Sequence, residues 1–204
     1  GVNTVASCII DDEVCCEASK QEIIRRYYNT LNQLVLGNST ENEVTTIELI
    51  MKQAKITTDD RKVTVAAKER AEKSKVPSAA IELMDGTIIT SETTELLGTS
   101  AALILNAIKH LAGIEHKVKL IPKNMIEPIQ NMKVNYLKGN NPRLHTDEVL
   151  VAISMLSLND ENCKKAIEQL PNLNGCQVHT TVMLSEVDRK IFKKLGVDLT
   201  CEPI

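Results

Sequence analysis

Ala80-Ile81-Glu82-Leu83-Met84-Asp85-Gly86-Thr87-Ile88-Ile89-Thr90 is the stretch that decides the fold. Two short runs, 80–84 and 87–90, flank Asp85-Gly86. Asp-Gly tolerates the positive φ angles of a tight turn, so the pattern predicts a β-hairpin. Val76-Pro77 marks a boundary just before it. After the hairpin, helical and strand signals alternate. Gly98-Thr99-Ser100 opens an apolar helix through Leu103, Ile104, Ile108 and Leu111, and Gly113 ends it. A short strand is expected over 118–121, stopped by Pro122, and then a helix through Ile126, Ile129, Met132 and Leu137. Thr146 is expected to cap a helix over 149–158, Asp160 one reaching Leu170, and Ser185 one reaching Leu195. Residues 176–184 alternate like a strand, and 197–200 form a last one. Strands interleaved with helices predict an α/β domain over 76–204: a mixed sheet in a three-layer arrangement.

Upstream, residues 1–75 read as a helical region. Residues 5–10 suit a short strand or an extended lead-in. Asp11 or Asp12 then caps a helix carrying Ile23, Ile24, Tyr27, Leu31 and Leu34 at helical spacing, which Gly37-Asn38 stops. A second helix runs over 41–55. Thr57 or Thr58 caps a third, so polar that it is expected either to be solvated or to cover something beyond this chain. The adjacent Tyr27 and Tyr28 offer a surface for a second copy of the chain.

Composition excludes several functions. A net charge of −3 and a pI near 5.9 argue against a nucleic-acid surface. Aromatic residues are 2% of the chain, too few to stack single-stranded bases. No apolar run is long enough to span a bilayer. The six cysteines, 8, 15, 16, 163, 176 and 201, form no C-x-x-C pair and no zinc spacing, and read as reduced thiols of a cytoplasmic protein.

The element order from residue 58 is similar to that of cytidine-deaminase-like folds. Such folds place zinc ligands at the helix after the hairpin and at the helix after the third strand. Here those places hold Ser91-Glu92-Thr93-Thr94-Glu95 and Pro122-Lys123-Asn124-Met125, with no His or Cys. The deaminase-like order therefore brings no deaminase site with it.

A second likeness is more specific. Gly1-Val2-Asn3, Ile10-Asp11-Asp12-Glu13-Val14, the run Glu17 to Tyr28, Pro77-Ser78-Ala79-Ala80-Ile81-Glu82-Leu83, Asn140 to Leu150 and Leu199-Thr200-Cys201-Glu202-Pro203 resemble the bacterial family called domain of unknown function 1846. The resemblance covers nearly the whole chain. It implies a cytoplasmic protein, with this chain as the C-terminal part of a longer one whose N-terminal part is a nucleotide-binding type of α/β domain. Some members carry the label "ATP-dependent zinc protease"; this sequence has no H-E-x-x-H to support it. The resemblance implies no catalytic residues.

Chemically able side chains gather in Gly139-Asn140-Asn141-Pro142-Arg143-Leu144-His145-Thr146-Asp147-Glu148, a loop running into a helix start. Arg143 offers a planar fork of donors for a carboxylate or phosphate. His145 suits proton transfer. Asp147 and Glu148 suit a metal or the orientation of His145. A plain structural account makes Thr146 the N-cap, has Asp147 and Glu148 complement the helix dipole, and pairs Arg143 with one of them. It leaves His145, Asn140 and Asn141 unexplained. Thr99 and Ser100 stand at a helix start, where free amides suit an anion, although the Gly-Lys-Ser/Thr ending of a P-loop is absent.

Asp11-Asp12-Glu13 reads as a cap with its dipole complement rather than a hard-metal site. His179 alternates onto the polar face of its strand, where it could face a cleft, but no spacing demands a metal triad with His145. The expected ligand is a small anion, a nucleotide or phosphate ester, bound in a cleft shared with an N-terminal domain. The alternative is a non-catalytic module for oligomerisation or regulation.

Overall fold

Ser78–Glu82 (β1) and Ile88–Glu92 (β2) pair antiparallel, with Ile81 opposite Ile89. The turn between them uses the positive φ of Gly86, +84°, while the Asp85 carboxylate accepts from the Thr87 amide at 2.9 Å. Gln177–Thr180 (β3) joins the other edge of β1 antiparallel, and Asp198–Cys201 (β4) runs parallel to β3. The sheet is therefore mixed, in the order β2-β1-β3-β4. This computed structural model describes residues 11–204. The extended lead-in expected over 5–10 and Cys8 lie outside the described residues.

Strand alternation gives the sheet two distinct faces. Ala79, Ile81, Val178 and Cys201 face the main core. That core is filled by Thr99–Leu111 (α4), Lys123–Asn131 (α5), Thr146–Leu156 (α6), Glu161–Ile167 (α7) and Glu186–Lys194 (α8), through Leu103, Ile104, Ile108, Ile153 and Phe192. Ala80, His179 and Thr200 lie in one register row on the opposite face. That face is covered by Asp12–Val35 (α1) and Lys62–Ser74 (α3), which makes the three layers. Glu41–Ala54 (α2) packs on α1 around Ile24, Tyr28, Met51 and Ile56.

The third helix departs from expectation. Its Val63 and Ala67 are fully buried against Ala80, so α3 covers this sheet rather than something outside the chain. Its charges are also used locally. Lys62, Lys68 and Arg70 pair with Glu82, Glu202 and Glu92 at the strand ends, at 2.9–3.1 Å. A helix that reaches strand carboxylates with long side chains needs only a narrow apolar stripe. Tyr28 is likewise 1% exposed, sealed against His179, and offers no surface to a second chain.

The strand expected over 118–121 does not form. Lys109 Nζ takes the Val118 carbonyl at 3.1 Å and Cys163 Sγ the Leu120 carbonyl at 3.2 Å. Side chains thus satisfy acceptors that a neighbouring strand would have used. Without this strand the deaminase-like order loses its third member. Past α5, Met132–Tyr136 winds as a π-helix rather than a continued α-helix. Asp11, Asp160 and Ser185 cap their helices as expected, each accepting from backbone amides.

Candidate functional site

Two chain segments far apart in sequence set the site. Leu97 and Leu144 form an isolated parallel bridge, with Gly98 N donating to Leu144 O at 3.1 Å and Leu144 N to Leu96 O at 2.9 Å. Each segment leads straight into a helix, so the N-termini of α4 and α6 begin side by side. Their dipoles add, and the region favours negative charge.

Asp188, in the first turn of α8, is the built-in anion. Its Oδ1 accepts from the Thr146 amide at 2.9 Å and from the Thr146 hydroxyl at 2.5 Å. Its Oδ2 accepts from Ser185 Oγ at 2.8 Å and lies 3.2 Å from His145 Nδ1. Burial pushes this carboxyl up, but the bonds from Thr146, Ser185 and His145 outweigh it and hold the group below its ordinary range. An ionised Asp188 only accepts. In the neutral ring of His145 the proton therefore sits on Nδ1, and Nε2 keeps its lone pair. Among the described residues that lone pair meets only Asn141 Nδ2, at a long 3.5 Å, and the ring is one-third exposed.

The rest of the loop holds this histidine in place. Glu148 Oε2 accepts from the His145 amide at 2.7 Å, so His145 is the N-cap residue of α6 and Thr146 is its first helical residue. The expected cap at Thr146 falls one residue earlier: Thr146 is already helical, and it donates its amide and its hydroxyl to Asp188. Lys133 Nζ, only 12% exposed, binds Glu148 at 2.7 Å and the Arg143 carbonyl at 2.6 Å. Arg143 pairs with neither acid. Its Nε donates to the Thr94 carbonyl at 2.7 Å, which leaves the rest of the guanidinium facing solvent. Asn141 Oδ1 accepts from the Arg143 amide at 3.1 Å, Asn140 is exposed, and Asp147 accepts from the Glu148 amide at 2.9 Å.

Thr99 and Ser100 are buried at 4% and 2% exposure. Ser91 Oγ donates to the Thr99 carbonyl at 2.8 Å. His179 lies on the other side of the sheet, fully buried, with Nδ1 2.9 Å from Thr200 Oγ1. His145 and His179 share no partner, and no group of three metal-ligating side chains forms among the described residues. A cavity of about 750 Å3 opens along α4, lined by Thr94, Ser91 and Lys109 but by neither Arg143 nor His145.

Sequence reasoning missed Asp188 and Lys133. Ser185-x-x-Asp188 carries only the signature of a helix start. Nothing local shows that a carboxylate 43 residues from His145 closes on it.

The model of the N-terminal domain of the family DUF1846 matches residues 1–55, and that of its C-terminal domain matches residues 59–204. The chain thus carries a match to both domains rather than to the C-terminal one alone. It is 49% identical, over its whole length, to UPF0371 proteins of Corynebacterium urealyticum and Corynebacterium aurimucosum. It is 46% identical to one of Streptococcus pyogenes. In each case it spans 41% of the relative's length.

Proposed function

We propose a function on geometry for this chain, which belongs to the DUF1846 family, because the family description names no chemistry. The 139–148 loop forms one wall of a site for an anionic small molecule, a nucleotide or phosphate ester, in a cytoplasmic protein. His145 is its proton-transferring group. The observation that carries this is the pairing of His145 Nδ1 with the buried Asp188, which leaves Nε2 open toward solvent. A buried carboxylate that fixes the tautomer of a histidine also stabilises the imidazolium formed when Nε2 takes a proton. Asp188 is a positioning residue, and Lys133 with Glu148 fixes the backbone from which His145 projects. The outer guanidinium of Arg143 supplies the charge for a phosphate, and the start of α4 at Thr99 and Ser100, although buried, adds the positive end of its dipole. The chain spans 41% of its relatives' length, and a further domain of the longer protein would complete the cleft.

The test is thermal shift of the full-length protein against a panel of nucleotides and phosphate esters. The native protein is expected to be stabilised by at least one ligand whose shift Arg143→Ala with His145→Ala abolishes. If the double variant leaves every shift in the panel unchanged, the proposal ends.

A second reading rests on another observation. Val151, Met155 and Leu158 stand 61%, 65% and 82% exposed along and just beyond α6. Such a stripe suits a second copy of the chain in a non-catalytic, assembling role. Light scattering that shows a monomer at high concentration removes it.

A further inference from the structure

Lys109 is 9% exposed. Its ammonium donates to the His116 carbonyl at 2.7 Å and the Val118 carbonyl at 3.1 Å. An ammonium has three donors, so one has no protein partner among the described residues. Burial lowers its pKa, and among the described residues no carboxylate pairs with it to offset this. A buried cation without a counter-ion is costly in a fold that had no further use for it.

Lys109 lines the cavity of about 750 Å3 between α4, β2 and the 116–126 segment. Lys117, Lys119, Lys123 and Arg70 stand round the same cavity, and Glu92 is the one carboxylate in its lining. Lys117, Lys123 and Arg70 pair with Glu115, Glu127 and Glu92 in exposed bridges, which are worth little and exchange readily. Lys119 makes no ion pair among the described residues. The floor is apolar, formed by Leu105, Ile121 and Ile126, while Thr90, Thr94 and Asn106 add polar groups. A volume of this size, apolar with a few convergent polar groups, is that of a small-molecule site. The acidic net charge of the chain makes the local excess of lysine more telling.

We propose that this cleft is a binding site, distinct from the His145 loop, for a phosphorylated small molecule with an apolar body. Lys109 and Lys119 take the phosphate, and the aliphatic floor takes the body. The site owes nothing to His145, so it stands or falls separately from the function proposed above.

The experiment is calorimetric titration of the full-length protein with AMP, adenosine and inorganic phosphate. AMP is expected to bind at least tenfold more tightly than either of the others. Lys119→Glu with Lys123→Glu, both exposed and safe for folding, weakens AMP at least tenfold; Lys193→Glu on α8 changes it less than twofold. Lys109→Met removes binding. The proposal is overturned if AMP does not bind, if adenosine or phosphate binds as well as AMP, or if the Lys119/Lys123 reversals have no effect.

Discussion

Two buried polar centres lie on opposite faces of the sheet, and they differ in one respect. On the α1/α3 face, Arg61 is 1% exposed and all its nitrogens are engaged: Nε with Thr200 Oγ1, the others with Gln177, the carbonyls of Val178 and Asp198, and more distantly Gln21. His179 beside it is fully buried, next to Thr200, Tyr28 and Glu202. On the α6/α8 face, Asp188 is just as enclosed, but the histidine it holds presents one nitrogen to the outside. Both centres contain a histidine and a carboxylate. The sealed one has the features of a clamp that docks α1 and α3 on the strands. The open one keeps a lone pair available for chemistry.

Each prediction strains this contrast, the largest effect first. Arg61→Met leaves two carbonyls and the Thr200 and Gln177 side chains without their donor, and should cost about 3 kcal/mol or more in urea unfolding. A loss below about 1 kcal/mol would show that the centre is not a clamp. Asp188→Asn replaces an acceptor of four bonds by an amide that cannot accept them all, and should cost about 2 kcal/mol while abolishing the ligand shift. Retention of the full shift would remove Asp188 from the site.

Acidification separates the two centres further. Burial pushes the His179 pKa below 6.5, with Glu202 nearby pulling the other way. As pH falls through 6.5 the unfolded chain therefore takes the proton first. The stability contributed by a neutral His179 is complete above that pH and is lost below it. Burial pushes the Glu202 carboxyl up, but His179, Lys68 and Tyr28 hold it down to about 2. Its contribution is complete above 4.5 and disappears as pH falls through about 2. His179→Asn should flatten the melting temperature between pH 6.5 and 4.5, and curves parallel to wild type there would contradict this assignment. The smallest effect belongs to the open centre. His145→Ala should change stability by about 0.5 kcal/mol or less, yet remove the ligand-induced shift. A large loss of stability would make His145 a second clamp.

Much of this contrast was hidden in the chain. Asp85-Gly86 located the hairpin because glycine meets its φ requirement locally. Asp11, Asp160 and Ser185 located helix starts because a cap and the amides it satisfies lie within three residues. Residues 118–121 misled, because β-prone side chains do not say whether an edge is free to pair. Thr146 misled because its helix starts one residue earlier, with Glu148 on the His145 amide, and a carboxylate from α8 takes the Thr146 donors. The polar third helix looked unattached because its partners, Glu82, Glu92 and Glu202, are spread over the strands.

The sequence by itself determined the mixed α/β class, the hairpin, the caps at Asp11, Asp160 and Ser185, and the loop where Arg143 and His145 stand. These follow from dihedral limits, periodicity and hydrogen bonds between near neighbours. Tertiary structure alone decided which histidine is sealed and which is open, that Asp188 orients His145, and that Lys109 lies beside a cleft with no counter-ion among the described residues. Each depends on what lies across a packed interface, tens of residues away along the chain. Desolvation and long-range hydrogen bonds, not residue type, give those groups their chemistry.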